Sequence, residues 1–214
     1  MYANIVAAAS FWSQLVEIDL QFQRDVIAHG CPRCGGPLHV ADHPRKPRGV
    51  PDELASEWSK RCNTCCGRCR RRCLPPSVRF LGRKVYAAAI VILATMHALV
   101  CGATRRTQGR WTAWWTQVVP TTAWWRQVRA LLARPVDCAL LPGALLERYE
   151  PEPGVHSAEA LVGMMVAMGP LTTNATVIVF GEGRSILGEL AHKMRNDSNH
   201  RDLLPETRAP TRPT

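Results

Sequence analysis

Cysteine thiolates offer the clearest chemistry in this sequence, and that chemistry is metal binding. The pair Cys31 and Cys34 has C-x2-C spacing, and five more cysteines stand in RCNTCCGRCRRRC, residues 61–73. A C-x2-C turn supplies two of the four soft ligands that tetrahedral Zn²⁺ prefers, so a second pair must complete the site. The spacing therefore predicts a zinc site shared between the two segments.

Two pairs in the second segment have the required spacing, Cys62 with Cys65 and Cys66 with Cys69. We favour Cys66 and Cys69, because Gly67 lies between them and suits a tight turn. Cys65 is the nearest substitute, and the choice among Cys62, Cys65 and Cys66 stays open at this point. The predicted Zn²⁺ ligands are Cys31, Cys34, Cys66 and Cys69. A catalytic zinc needs an open position and a nearby base, and the second segment has no carboxylate, so we expect a structural metal.

The other thiols and the nearby imidazoles are expected to bind no metal. Cys73, Cys101 and Cys138 are isolated, which is typical of small buried residues or free thiols. His39 and His43 follow the first pair too closely to interpose the helix of a classical zinc finger, so we expect them in a solvated loop. Disulfides are not expected, because the start MYANIVAAASFW lacks the basic region of a secretory signal, and this favours a cytoplasmic protein.

The positive charge is concentrated in one part of the chain. Residues 58–136 contain 15 Lys or Arg and no Asp or Glu, although the whole chain of 214 residues has a net charge of +10. A block without carboxylates cannot neutralise its own charge, and the commonest polyanion that would do so is nucleic acid. The charge pattern therefore predicts a nucleic-acid partner.

The elements that must position these groups indicate a mainly α fold with a small β zinc ribbon. Residues 10–28 have apolar side chains at helical spacing, with Ser10 as a plausible N-cap, and Gly30 should end the helix. The predicted organisation is an N-terminal amphipathic helix (1–30), a zinc ribbon (31–82), a helix-turn-helix-like segment (83–135), a C-terminal α/β region (136–204) and a disordered tail (205–214).

The uncharged segment 85–103 raises a membrane alternative. It has nineteen residues, which is barely enough for a transmembrane helix, and basic residues flank both of its ends. Its alanine content and His97 favour a buried helix of a water-soluble domain instead. We therefore expect no membrane contact and keep a small membrane protein as an alternative.

The run CPRCGG, followed by CCGRCRRRCLPPSVRFLGRKVY and then TQGRW at residues 107–111, resembles the zinc ribbons of bacterial insertion-sequence transposases. In those proteins a helix-turn-helix follows the ribbon. The resemblance covers residues 31–115 and implies an apolar support helix at 85–100 and a recognition helix at 104–118. It implies DNA as the partner and leaves open other mobile-element proteins and homo-oligomerisation.

The resemblance also assigns roles to individual basic residues. Residues at the start of the recognition helix would reach bases and phosphates, and those around the ribbon would contact the phosphate backbone. The first group is Arg105, Arg106, Thr107 and Arg110. The second group is Arg70, Arg71, Arg72, Arg83 and Lys84.

A transposase core is not recognisable in the sequence. Two-metal cleavage of DNA needs converging carboxylates, and Asp137, Glu147 and Glu182 have no surroundings that recommend them. We therefore expect a DNA-binding accessory or regulator of a mobile element and no catalytic activity. A degenerate transposase with residual strand-transfer activity is the enzyme alternative.

Overall fold

A computed structural model describes residues 2–81, 84–132, 135–150 and 157–172. Within these ranges the chain is mainly helical with a small antiparallel sheet, as the sequence predicted. The part of the predicted C-terminal α/β region beyond residue 172, the tail 205–214 and Arg83 lie outside the described residues.

Two helices open the fold, α1 (Tyr2–Ala7) and α2 (Ala9–His29). The apolar stripe of α2 is buried, as its helical spacing predicted. Ser10 is not the N-cap, because α2 begins at Ala9, after the N-cap Ala8, so Ser10 lies within the first turn of the helix. Gly30 ends the helix with a φ of 77°, a left-handed conformation that glycine adopts readily. The chain then turns directly into the first cysteine pair. The buried stripe of α2 includes Phe11, Leu15, Ile18 and Phe22.

The strands are short and lie within residues 38–73, next to the two C-x2-C pairs. Strands β1 (Leu38–Val40), β4 (Thr64–Cys66) and β5 (Arg72–Cys73) form one antiparallel sheet in the order β1-β4-β5. Strands β2 (His43–Pro44) and β3 (Lys60–Arg61) form a separate antiparallel ribbon in which His43 is opposite Arg61. The first sheet pairs Leu38 with Cys66 and so brings the two cysteine loops to one end of the sheet.

Helix α3 (Ala88–Thr95) is buried along its whole length, which explains why its sequence is apolar on every face. It is shorter than the predicted helix 85–100, because His97 takes a left-handed φ of 56° and the N–H of Ala98 bonds back to the carbonyl of Leu93. In the described part of the chain no helix combines the length and apolarity needed to cross a membrane. A span over residues 85–103 is therefore not observed.

Helix α4 (Arg105–Ala113) begins at Thr104, whose side chain accepts a hydrogen bond from the N–H of Thr107. It continues through a π-helical turn at Trp114–Val118, so the helix expected over 104–118 is present as a mixed helix. α3 and α4 contact each other, but residues 96–104 connect them, which is longer than the usual turn of a helix-turn-helix. The helix-turn-helix assignment therefore stays a prediction.

The remaining helices complete one hydrophobic core. They are α5 (Ala123–Leu131), α6 (Gly143–Leu146) and α7 (Ala158–Ala167), with 3₁₀ turns at Val119–Thr121, Cys138–Leu140 and Gly169–Thr172. The indoles of Trp115 and Trp125 are buried in this core, as are Met164 and Met165. These tryptophans therefore serve packing.

A buried ion pair fastens α2 to the segment after the sheet. The carboxylate of Asp19 accepts hydrogen bonds from Arg79 Nε at 2.8 Å, Ser77 Oγ at 2.6 Å and the backbone N–H of Val78 at 2.7 Å. Asp19 is 0% exposed and Arg79 2% exposed. The three donors saturate the carboxylate, which makes this a strong contact. Because α2 precedes the cysteine-rich segment, residues 31–73, and Arg79 follows it, the pair fixes both ends of that segment to the core.

Candidate metal centre

Four cysteine sulfurs converge at the end of the three-stranded sheet. The sulfurs of Cys31, Cys34, Cys66 and Cys69 all lie within 4.8 Å of one another. The distance from Cys31 Sγ to Cys69 Sγ is 3.7 Å, and that from Cys34 Sγ to Cys66 Sγ is 3.5 Å. Tetrahedral Zn–S bonds of about 2.3 Å require sulfur–sulfur separations of about 3.8 Å. The four thiols can therefore hold a metal ion of this size.

Each C-x2-C turn is built in the same way. In the first cysteine loop, residues 31–36, the N–H of Gly35 bonds to the carbonyl of Cys31, and the N–H of Cys31 bonds to the carbonyl of Gly36. In the second cysteine loop, residues 66–71, Arg70 and Arg71 repeat those two bonds with Cys66. The two loops thus present their thiols in matching geometry.

The matching geometry extends to the backbone torsions. Gly35 has a φ of 64°, and Arg70, the fifth residue of the second loop, has a φ of 58°. An L side chain in the left-handed region costs about 1–2 kcal/mol, so the second loop keeps an arginine in a conformation that glycine would adopt more easily. This conformation directs the chain of the second loop into β5.

Backbone donors favour the thiolate form at two positions of the cluster. The backbone N–H of Arg33 lowers the pKa of Cys31 to about 6. The backbone N–H of Cys69, 3.4 Å from Cys66 Sγ, lowers the pKa of Cys66. Donors aimed at sulfur stabilise negative charge there, as metal binding requires.

Cys34 shows the opposite balance. The N–H of Gly36 favours its thiolate, but burial and the neighbouring sulfurs outweigh this effect and raise the pKa of Cys34 to about 11. Four adjacent thiols cannot all ionise without a cation, because each new negative charge opposes the next. A divalent metal would remove this conflict.

Gly36 provides the space in which the two cysteine loops meet. A Cβ at this position would lie 2.9 Å from Arg68 Cβ and 3.2 Å from Cys66 Sγ. The side chain of Arg68 cannot move away at its Cβ, and the Cys66 sulfur cannot move without leaving the four-thiol cluster. Any side chain here would therefore push the loops apart.

Gly36→Ala is expected to lower the free energy of unfolding by about 1–3 kcal/mol, the usual effect of overpacking. We expect metal affinity to fall by about tenfold or more, since about 1.4 kcal/mol corresponds to tenfold. Competition with a chromogenic chelator and urea denaturation measure the two effects. Gly102→Ala is the matched control, because a Cβ at Gly102 meets nothing within 4 Å. Equal behaviour of the two variants would contradict the close approach.

The alternative ligands lie elsewhere. Cys62 is buried beside Arg79, whose Nη2 donates to its sulfur at 3.3 Å, and burial raises the pKa of the Cys62 thiol. Cys65 is the neighbour of Cys66 on strand β4, and its thiol contacts the carbonyl of Arg70 at 3.6 Å. Neighbouring residues on a strand point to opposite faces, so Cys65 cannot join Cys66 in the cluster.

The isolated cysteines divide into two kinds. Cys73 packs on the cluster, where burial and then the charge of Cys31 raise the pKa of its thiol to about 11. It is therefore a neighbour of the site, which its spacing did not reveal. Cys101 and Cys138 are partly buried against the main core as free thiols, as expected.

The two histidines lie on strands, and the expectation of a solvated loop was wrong. His39 is an exposed residue of β1, and His43 is a half-buried residue of β2. Burial, then the charges of Arg45 and Arg61, lower the pKa of His43. The sequence did not indicate the β2–β3 ribbon, because its two strands, residues 43–44 and 60–61, are distant in sequence.

The predicted basic residues differ in their exposure. Arg70, Arg71 and Arg72 are exposed on the second cysteine loop and β5. On α4, Arg105, Arg106 and Arg110 are exposed, and Thr107 is partly buried in the first turn, where its N–H donates to the N-cap Thr104.

Lys84 is differently placed. Its Nζ lies 3.6 Å from the centre of the Trp114 ring, and burial lowers its pKa to about 8. This cation–π contact stabilises the Lys84 ammonium group on the indole face, and a phosphate would have to compete with that contact.

Further exposed arginines belong to the same surfaces and were not predicted. Arg33 and Arg68 are the third residues of the two cysteine loops, and Arg126 and Arg129 are exposed on α5. Arg33 and Arg68 could have been predicted as part of this surface, because each lies between the two cysteines of a C-x2-C pair. Among the described residues, the four-cysteine cluster is the one arrangement of three or more His, Cys, Asp or Glu suited to a metal.

Comparison of the chain with protein-family models, curated proteins and solved structures yields no match.

Proposed function

We propose that this chain is a structural-zinc protein that binds DNA, in the manner of an accessory or regulator of a mobile element. The observation that carries the proposal is the union of the four-thiol cluster with exposed arginines on the same loops. Arg33 and Arg68 stand inside the two C-x2-C turns, and Arg70–Arg72 follow the second. A metal that folds these loops would also set the spacing of their positive charges.

Zinc is the metal that suits these ligands best. Four thiolates are a soft, tetrahedral donor set typical of structural Zn²⁺ sites. Four protein ligands leave no open position for water or substrate, so the metal would stabilise the fold and take no part in catalysis. Elemental analysis of the purified protein should give about one zinc per chain.

DNA is the partner favoured by the charge distribution. The exposed arginines of the second cysteine loop and of α4 lie in the block 58–136, which contains no carboxylate to pair with them. Arg33 lies before that block and extends the same charge to the first loop. Guanidinium groups bind phosphate oxygens by two parallel hydrogen bonds, and binding releases counterions from the duplex. We assign Arg70–Arg72 to the phosphate backbone and Arg105, Arg106 and Arg110 to the groove.

Replacing Arg70, Arg71 and Arg72 with alanine is expected to weaken binding to duplexes of every sequence. The slope of log K against log salt should become shallower by about 0.9 for each phosphate that the variant no longer neutralises. Fluorescence anisotropy at several salt concentrations measures both quantities, with zinc content checked in parallel.

The matched control removes the same number of charges outside the acid-free block. Arg24, Lys46 and Arg148 are all exposed, and their replacement with alanine should leave the slope nearly unchanged. If the two triple variants weaken binding equally, net charge alone accounts for the binding and the assigned surface is wrong. If neither variant binds less tightly, Arg70–Arg72 do not contact the phosphate backbone and their assignment is wrong.

A further inference from the structure

Three arginines surround one phenylalanine ring behind the β2–β3 ribbon. The guanidinium carbons of Arg45, Arg61 and Arg79 lie 5.4, 5.9 and 5.3 Å from the centre of the Phe80 ring. Arg79 is paired with Asp19, whose oxygens are already saturated. We call the other two arginines, together with His43, the Phe80 basic cluster.

Arg61 is the central member of this cluster, and it is 2% exposed. Its Nη2 donates to the carbonyls of Pro75 at 3.3 Å and Thr172 at 3.1 Å. Its Nη1 is buried without a hydrogen-bond partner among the described residues, and no described carboxylate lies within ion-pair distance of it. Burial lowers the pKa of Arg61 to about 10, which still leaves it charged at neutral pH.

His43 presents a second enclosed nitrogen beside Arg61. The two residues are opposite each other on β2 and β3, so their side chains share one face of the ribbon. The Nδ1 atom of His43 is likewise buried without a partner among the described residues. Arg45 follows His43 by two residues and so belongs to the same face. The nearby carboxylate of Asp42 is engaged by Gln23 and by the N–H of Asn63.

A buried guanidinium that lacks a counter-ion is strongly destabilising, and buried polar atoms are nearly always satisfied by protein, water or an ion. From the two enclosed nitrogens and the adjoining arginine, we propose that the Phe80 basic cluster binds a small oxyanion of the phosphate class. The fork of Arg61 and the imidazole of His43 would donate to its oxygens, and the half-buried Arg45 would close the site.

This site is separate from the proposed DNA surface. Arg61 is enclosed, whereas Arg70–Arg72 are exposed, so a phosphate within a duplex cannot reach the cluster. The ligand must therefore be a free anion, and the inference stands whether or not the chain binds DNA.

The test is thermal denaturation of the zinc-loaded protein in inorganic phosphate and in sodium chloride of equal ionic strength. We expect phosphate to raise the melting temperature saturably, beyond the effect of chloride. In Arg61→Met the phosphate-specific shift should vanish, and in chloride the variant should be at least as stable as the wild type, because an uncompensated charge has been removed. A phosphate shift that persists in Arg61→Met, or is matched by chloride, overturns the proposal.

A second variant keeps the test decisive if Arg61→Met does not fold. Arg45→Gln should weaken phosphate binding at least fivefold, and the neighbouring exposed Lys46→Gln should leave it unchanged, although both remove one charge. Equal phosphate affinity in these two variants would refute the site. A short duplex at the same phosphate concentration should not displace inorganic phosphate from the cluster, so any shift that the duplex causes should be the same in wild type and in Arg45→Gln. A duplex-induced shift that is lost in Arg45→Gln would overturn the proposal, because the cluster would then bind phosphates of the polymer.

Discussion

Replacing Cys66 with serine is expected to abolish metal binding and to unfold the cysteine loops. The Cys66 sulfur is fully buried, lies 3.5 Å from Cys34 Sγ and receives the N–H of Cys69. Loss of an outer partner of a zinc ligand already reduces affinity by 10–100-fold, so loss of a ligand should reduce it by at least ~100-fold. Because metal binding is coupled to folding, stability should fall by about 2.7 kcal/mol or more.

Elemental analysis after dialysis against a chelator, together with urea denaturation, measures this effect. Cys65→Ser is the matched control, since it changes the adjacent thiol on the opposite face of β4 and should retain the metal. Cys34→Ser should behave as Cys66→Ser does, and Cys62→Ser should retain the metal. Metal retained by Cys66→Ser and lost from Cys65→Ser would show that the second pair has been wrongly chosen.

The second large effect is expected at the buried ion pair between α2 and the segment after β5. Asp19→Ala removes the carboxylate that accepts from Arg79, Ser77 and Val78 and leaves the Arg79 guanidinium buried without its counter-charge. Breaking a buried pair in this way costs about 3–5 kcal/mol. We expect a loss of that size in the free energy of unfolding, measured by urea denaturation in saturating zinc.

Glu17→Ala is the control on the same helix. The Oε2 atom of Glu17 lies 4.0 Å from Nη2 of Arg24, and the two side chains are 70% and 57% exposed, respectively. Such surface pairs contribute about 0–1 kcal/mol, so this variant should change stability by less than 1 kcal/mol. The double variant Asp19→Ala/Arg79→Met should regain part of the loss, because no unpaired charge stays buried. A loss below 1 kcal/mol in Asp19→Ala would rule out the pair as a principal contact.

The two effects act on different connections of the cysteine-rich segment. The thiol cluster joins its first loop to its second loop, and Asp19 joins α2 to the chain that leaves the second loop. Arg79 also contacts Cys62, so this alternative ligand belongs to the ion-pair network and not to the thiol cluster. Metal removal should therefore leave the Asp19–Arg79 connection intact, and the two destabilisations should be nearly additive.

What the sequence determined by itself is local. The C-x2-C spacing, the helical period of residues 10–28 and the carboxylate-free block 58–136 are properties of neighbouring residues, and the thiol pairs and α2 follow from them directly. A mainly α fold with a small sheet was predictable for the same reason. The end of α3 was not predictable in this way, because it depends on a left-handed conformation at His97. Glycine is the residue that normally signals this conformation in a sequence.

What only the tertiary structure decided is which equivalent residues are brought together and which are buried. Cys65 and Cys66 are equally plausible ligands by spacing, and the pairing of β4 with β1 turns Cys66 alone toward Cys34. Arg61 and Arg71 are equal charges in the sequence, yet one is enclosed beside His43 and the other is exposed. Convergence and burial depend on contacts between residues far apart in the chain, and no local pattern records those contacts.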